Sequence, residues 1–146
     1  MHVTIVRRTA RARAATIATA ALLGVVAGCG LTGPPHERDD RLTAELEAFQ
    51  RDGGERPADE LFPGDWDTMH VVLGPTTAER TSRKVGAQVS IDVFSDRATL
   101  LVFMSAGEVD RTAELDMRGL PEGEYGPESV LRSTGGERPD ITIGGA

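Results

Sequence analysis

Thr99-Leu100-Leu101-Val102-Phe103-Met104-Ser105 is a run of apolar residues between two hydroxyl residues. An extended chain turns successive side chains to opposite faces. Leu100, Val102 and Met104 therefore share one face, and Leu101 and Phe103 share the other. A strand that is apolar on both faces must be covered on both, so this segment is the expected centre of a sheet. On its N-terminal side, residues 87–95 alternate: Val89, Ile91 and Val93 inward, Gln88, Ser90 and Asp92 outward. Asp96-Arg97 turns the chain between the two. On the C-terminal side, Ala106-Gly107-Glu108 turns it again. Val109, Arg111, Ala113, Leu115 and Met117 then alternate with Asp110, Thr112, Glu114 and Asp116, which predicts a strand with one solvated acidic face. Three strands joined by tight turns form an antiparallel meander.

A further strand is expected over residues 66–73, Trp-Asp-Thr-Met-His-Val-Val-Leu, which is rich in β-formers and ends at Gly74-Pro75. Trp66, Thr68, His70 and Val72 share one face. Met69, Val71 and Leu73 lie on the other with Asp67, and this second face is expected to meet the core. Upstream, Asp39 or Asp40 can cap a helix in which Leu42, Leu46 and Phe49 form one apolar stripe, and Gly53-Gly54 ends it. At about three turns the helix is too short to stand alone and should pack on the sheet. Residues 53–65 read as a loop pinned by Leu61 and Phe62. Thr76 with Glu79 forms a capping box that predicts a short helix from Thr77 to about Val85, stopped by Gly86. After Gly119 the pattern dissolves into Gly, Pro and Glu, with Tyr125 docking back and Ile141-Thr142-Ile143 as a last short strand. The expected fold class is α+β: a small, mainly antiparallel four-stranded sheet with the N-terminal helix packed on one face.

The first 28 residues have a different character. Arg7, Arg8, Arg11 and Arg13 precede an almost wholly apolar run over residues 14–27, and no acid occurs among them. As a helix that run would measure roughly 21 Å, short of the roughly 30 Å hydrocarbon core of a bilayer. A basic segment before a short apolar run is the pattern of an export signal. Val26-Ala27-Gly28-Cys29 resembles the lipobox of bacterial lipoproteins: an aliphatic residue, two small residues, then cysteine. The resemblance implies a diacylglyceryl group on the Cys29 sulfur, with Val26, Ala27 and Gly28 recognised by signal peptidase II and cleavage after Gly28. Two acyl chains hold a protein on a membrane where one holds it only marginally. The expected organisation is a signal peptide over 1–28, a Gly/Pro-rich tether over 29–38 containing a solvated His36, and one domain over 39–146. The expected location is the extracytoplasmic face of the cell membrane.

Composition bounds the partners. All 23 acidic residues lie after residue 28, against 12 of the 16 basic ones, so the mature charge is −11. That balance argues against nucleic acid. Cys29 is the only cysteine, so a lipidated chain has no disulfide and no thiol for catalysis. Lys84 is the single lysine and Asn is absent, a bias that resembles high-GC bacteria such as actinomycetes. Phe62-Pro63-Gly64-Asp65-Trp66-Asp67-Thr68-Met69-His70-Val71-Val72, followed by Gly74-Pro75-Thr76-Thr77, is similar to a pattern in small bacterial lipoproteins of unknown function. In those proteins a Trp-Asp pair opens a strand, and a Gly-Pro turn, a short helix and a meander follow. Aromatic residues often stand there where this chain has His70 and Thr76. The resemblance spans residues 61–110 and implies no activity.

Catalytic and metal chemistry find few parts. There is no Gly-x-Ser-x-Gly, and His36 and His70 lack a Ser partner by spacing. Two separated histidines do not make a zinc site, and no calcium loop is present. Asp110, Glu114 and Asp116 could gather a cation but read more simply as a solvated strand face. No cofactor and no metal are expected. The sequence points to a non-enzymatic envelope binding or accessory module, meeting an envelope protein or small ligand through a surface that includes Trp66 and His70. Two alternatives carry their own signatures. An envelope enzyme using Asp/Glu around His70 requires a pocket converging on that residue. An immunity or inhibitor lipoprotein with a basic partner requires an acidic patch and salt-sensitive binding.

Overall fold

The computed structural model describes residues 35–145. The lipobox and the export segment lie outside the described residues. The fold is α+β, with a mixed five-stranded sheet and a smaller three-stranded one. In chain order the elements are β1 (His36–Arg38), α1 (Asp40–Asp52), β2 (Gly54–Pro57), α2 (Ala58–Leu61), β3 (Thr68–Leu73), α3 (Ala78–Val85), β4 (Thr99–Ser105), β5 (Glu108–Leu115), β6 (Gly123–Tyr125), β7 (Val130–Ser133) and β8 (Ile141–Gly144).

The large sheet runs β1-β5-β4-β3-β6, so the Thr99–Ser105 segment is its central strand, as its two apolar faces require. Leu100, Leu101 and Val102 are fully buried there. On one face, Met69, Val71, Leu101, Phe103, Ala113 and Leu115 pack against Leu46 and Phe49 of α1, Leu61 of α2, and Leu131 and Ile141 of the small β2-β7-β8 sheet. On the other face, Val72, Leu100, Val102 and Met104 pack against Val85 of α3 and against Val89 and Val93. Both faces of β3 are therefore covered, not the Met69–Val71 face alone.

Side-chain caps open α1 and α3. Asp39 accepts a hydrogen bond from the Leu42 N–H through its carboxylate at 2.7 Å, and Gly53 closes α1 with its N–H on the Phe49 carbonyl. Leu46 and Phe49 are buried, and Leu42 packs at the core's margin. Helix α3 starts one residue later than the capping box implies. Thr77, not Thr76, is its cap and accepts from the Arg80 N–H at 3.2 Å, while Gly86 ends it with φ 75°. The Thr76 hydroxyl instead meets that of Thr81 at 3.1 Å in the interior.

Four expectations are corrected. The sheet has five strands, and its meander is β3-β4-β5. Residues 87–95 are not a strand of it. Val89 and Val93 point inward as the alternation predicts, but among the described residues the only ladder contact is the bridge between Thr76 and Val93. Alternation reports which side chains are buried, and this segment buries them as a cover over the sheet face beside α3. The stretch read as a tether ends in the sheet: His36–Arg38 pairs in parallel with β5 and holds Asp39 through its N–H on the Glu114 carbonyl. The side chain of His36 contacts the Thr112 hydroxyl at 2.9 Å and Glu114 at 3.8 Å, so it docks on β5 instead of standing alone in water.

The fourth correction concerns β5. The register shifts between Phe103 and Met104, pairing Met104 with Val109 and Phe103 with Arg111. This bulge adds one residue and moves Val109 onto the α3 face beside Met104. The face expected to be solvated and acidic is only partly so, because Thr112, paired with His36 of β1, is 2% exposed. Residues 53–65 and 120–145 also hold short elements that sequence pattern did not resolve. β2 and β7 pair antiparallel, and β8, expected as a last short strand, joins β7.

The Trp-Asp pair ahead of β3 has a structural explanation. The Trp66 ring lies edge-on to Phe103 with centroids 5.7 Å apart, and its indole N–H donates to the Phe62 carbonyl at 2.7 Å. The Asp67 carboxylate accepts from the Ala106 N–H at 2.7 Å, holding the β4–β5 turn in which Ala106 has φ 50° and Gly107 φ 82°. Positive φ at both central positions is what a type I′ two-residue hairpin turn demands.

Candidate functional site

The two residues expected to share a binding surface are separated. Trp66 is 6% exposed and belongs to the core under α1. His70 lies in β3 opposite Glu124 of β6, half-buried on the α3 side of the sheet. Trp66 precedes the first paired residue of β3, so the alternation that was to align it with His70 does not extend to it.

Burial holds the His70 imidazole below its ordinary pKa; Glu124 opposes that shift and Lys84 adds to it. A folded-state pKa below the unfolded value means that the unfolded chain takes up the proton first. His70 thus contributes stability that is complete above pH 6.5 and is lost as pH falls through its depressed pKa. Urea unfolding at pH 7.5 and at pH 5 should show a loss of stability at the lower pH, and His70→Gln should reduce that loss. An undiminished loss in His70→Gln would assign the acid sensitivity to other groups.

The proposed acidic row is dispersed by partners. Asp116 accepts from Arg38 at 2.9 Å, and Glu114 faces His36. Among the described residues, no group of three or more His, Cys, Asp or Glu side chains is placed to hold a metal ion.

The chemistry that does converge lies around α3. Its Arg80, Arg83 and Lys84 fall at i, i+3 and i+4, so they share one side of the helix. The sequence up to α3 sets their position. β3 ends at Leu73, Gly74 donates its N–H to the Ala98 carbonyl, and Thr76 pairs with Val93 through two backbone hydrogen bonds of 2.8 and 2.9 Å. The Asp92 carboxylate takes the Ala78 N–H at 2.6 Å, fastening the start of α3 to the covering segment. Because Val93 is turned inward by the bridge, its neighbour Phe94 must turn outward, and it is 86% exposed. Among the described residues it is the one large apolar side chain so exposed.

Two clefts flank Arg80 and share Pro75 and Thr76 with it. One, of about 270 Å³, lies between Leu73 and Lys84 and is bounded by Glu122. Lys84 pairs with Glu122, and that contact holds the Glu122 carboxyl below its usual range. The other, of about 490 Å³, is lined by Thr77, Arg83, Val93 and Phe94 besides the shared residues, and no carboxylate lines it. His70 lines neither. A third cleft of about 240 Å³ lies between α1, Pro63 and β5. There the Arg111 guanidinium sits 4.2 Å from the Phe103 ring centroid and donates to the Pro63 carbonyl at 2.6 Å, so its cation is already engaged in the fold.

The signals for the α3 site were present in the sequence. Arg80, Arg83 and Lys84 have helical spacing, and Phe94 is an apolar residue in an outward register of the 87–95 alternation. What the sequence lacked was the bridge that brings Phe94 beside Arg80 and Arg83. Comparison with protein-family models, with curated proteins and with solved structures gives no match.

Proposed function

We propose that this protein is a lipid-anchored lipoprotein of a bacterial cell envelope whose exported body is a binding module, not an enzyme. The anchor rests on Val26-Ala27-Gly28-Cys29 behind an arginine-rich segment and a short apolar run. The binding reading rests on one observation: in a body of charge −11, a cleft is lined by two arginines and an exposed Phe94 without a carboxylate. Cations and an unburied ring placed together are poor material for stability and good material for recognition. A cleft of about 490 Å³ offers room for a small ligand.

An enzyme using Asp/Glu around His70 asks for a cleft that converges on that residue, and His70 lines neither of the two clefts beside α3. The reading of an immunity or inhibitor protein asks for an unbroken acidic patch. Several acids are instead interleaved with arginines, as in Glu45–Arg56, Glu55–Arg132 and Asp116–Arg38.

Cys29→Ser tests the anchor. The substitution removes the only thiol that can take a diacylglyceryl group, so metabolic lipid labelling should vanish and the precursor should keep its signal segment. Undiminished labelling and normal processing of that variant would defeat the lipoprotein reading.

A further inference from the structure

We propose that the cleft between α3 and Phe94 binds a flat apolar group carrying a carboxylate or a phosphate. The inference rests on the binding-module reading and gives its ligand class. Arg80 and Arg83 stand one turn apart on α3 and line the same cleft. Among the described residues Arg80 forms no direct ion pair, although its charge reaches Glu122 across the neighbouring cleft. Arg83 reaches Glu79 only at 3.8 Å, with both side chains more than 70% exposed, so solvent screens that contact. Lys84 points to the neighbouring cleft and is occupied by Glu122. Two guanidiniums are thus available to one oxyanion, and a guanidinium presents a planar fork of donors matched to carboxylate and phosphate oxygens.

The rest of the cleft selects what carries the anion. Phe94 offers an exposed ring, while Pro75 and Val93 supply apolar wall. An aromatic face prefers to stack on another flat group, and Phe94 is held outward by the Thr76–Val93 bridge without help from a ligand. Of the acids on that segment, Asp92 is turned to the Ala78 N–H, and neither it nor Asp96 lines the cleft. A volume of about 490 Å³ admits a single-ring compound with its head group. The two halves of the recognition must act together. A free inorganic anion would leave the ring unused, and a neutral ring would leave the arginines unused.

The test uses the full chain in phosphatidylcholine nanodiscs, titrated with phenyl phosphate and with benzoate by calorimetry. Phenol and inorganic phosphate serve as the two half-ligands. At least one aryl anion should bind saturably, and each half-ligand should bind at least tenfold more weakly. Phenyl phosphate outbinding benzoate identifies a phosphate head, and the reverse identifies a carboxylate; either supports the proposal. Arg80→Gln with Arg83→Gln should weaken binding at least tenfold, Phe94→Ala should weaken it severalfold, and Arg138→Gln, outside the cleft, should leave it unchanged. All these positions are exposed, and unfolding midpoints close to that of the parent chain confirm intact folding. Binding that survives loss of both arginines, or equal binding of a half-ligand, would overturn the proposal. So would the absence of binding by both aryl anions. If amides of residues 76–83 were then still protected from exchange by an envelope extract, the binding module would stand and only the ligand class would fall.

Discussion

Trp66→Ala is expected to cost about 3–5 kcal/mol, the range for deleting a large buried aromatic ring. The ring is 6% exposed, lies edge-on to Phe103 and touches the core shared by α1 and the central strand. Removing it opens a cavity between layers and strands the Phe62 carbonyl, which now accepts the indole N–H. A typical domain has only about 5–15 kcal/mol of net stability, so this single change should leave the body partly or wholly unfolded at ambient temperature. Urea unfolding followed by circular dichroism reads the effect, since the only tryptophan is lost with the substitution. Trp66→Phe keeps most of the ring and loses the hydrogen bond, so its cost should be clearly smaller. A cost below about 1 kcal/mol for Trp66→Ala would remove Trp66 from the core and return it to the surface role that its sequence suggested.

Gly74→Ala should be the second most damaging change, at about 1–3 kcal/mol, the usual range for overpacking. A methyl group on Gly74 would enter the space of the Ser95 carbonyl oxygen and press on the Val93 side chain. Neither neighbour is free to move. Ser95 is tied to Ala98, and Val93 is fixed by its bridge to Thr76. The strain falls on the segment that holds Phe94 beside α3, so the substitution should disturb the cleft as well as the fold. Gly86→Ala provides the contrast. Its methyl would meet nothing within 4 Å, but Gly86 closes α3 at φ 75°. It should therefore cost only about 1 kcal/mol and leave Phe94 in place. Equal stability of Gly74→Ala and the parent chain in thermal unfolding would show that the 93–98 segment can yield, contrary to the packing described.

Much of the fold was legible because local rules and tertiary packing agreed. The unbroken apolar run of residues 99–105 announced a strand covered on both faces, and it is the centre of the sheet. Leu42, Leu46 and Phe49 marked the inner stripe of α1, and Asp39 and Gly53 its ends. The misreadings share a cause. Residues 87–95 show a strand's alternation without a strand's partners, since side-chain periodicity records burial and says nothing of where backbone hydrogen bonds go. The bulge in β5 moved Val109 to the other face, because one inserted residue reverses a period of two. Trp66 was assigned to the His70 face by extending alternation past the point where pairing begins.

The candidate site follows the same division. Its cations are visible as a helical repeat and its ring as an out-of-phase apolar residue, but they lie in different segments. The sequence by itself determined the acidic balance of the body, the inner stripe and glycine stop of α1, and the central strand, along with the lipobox on which the proposed anchor rests. Each of these depends on neighbours in the chain or on composition. Only the tertiary structure decided that His36–Arg38 belongs to the sheet, that Trp66 is interior, and that Phe94 stands beside Arg80 and Arg83. Those outcomes depend on backbone pairing between distant segments, Thr76 with Val93 above all, and hydrogen bonds of that kind leave no mark on the order of side chains.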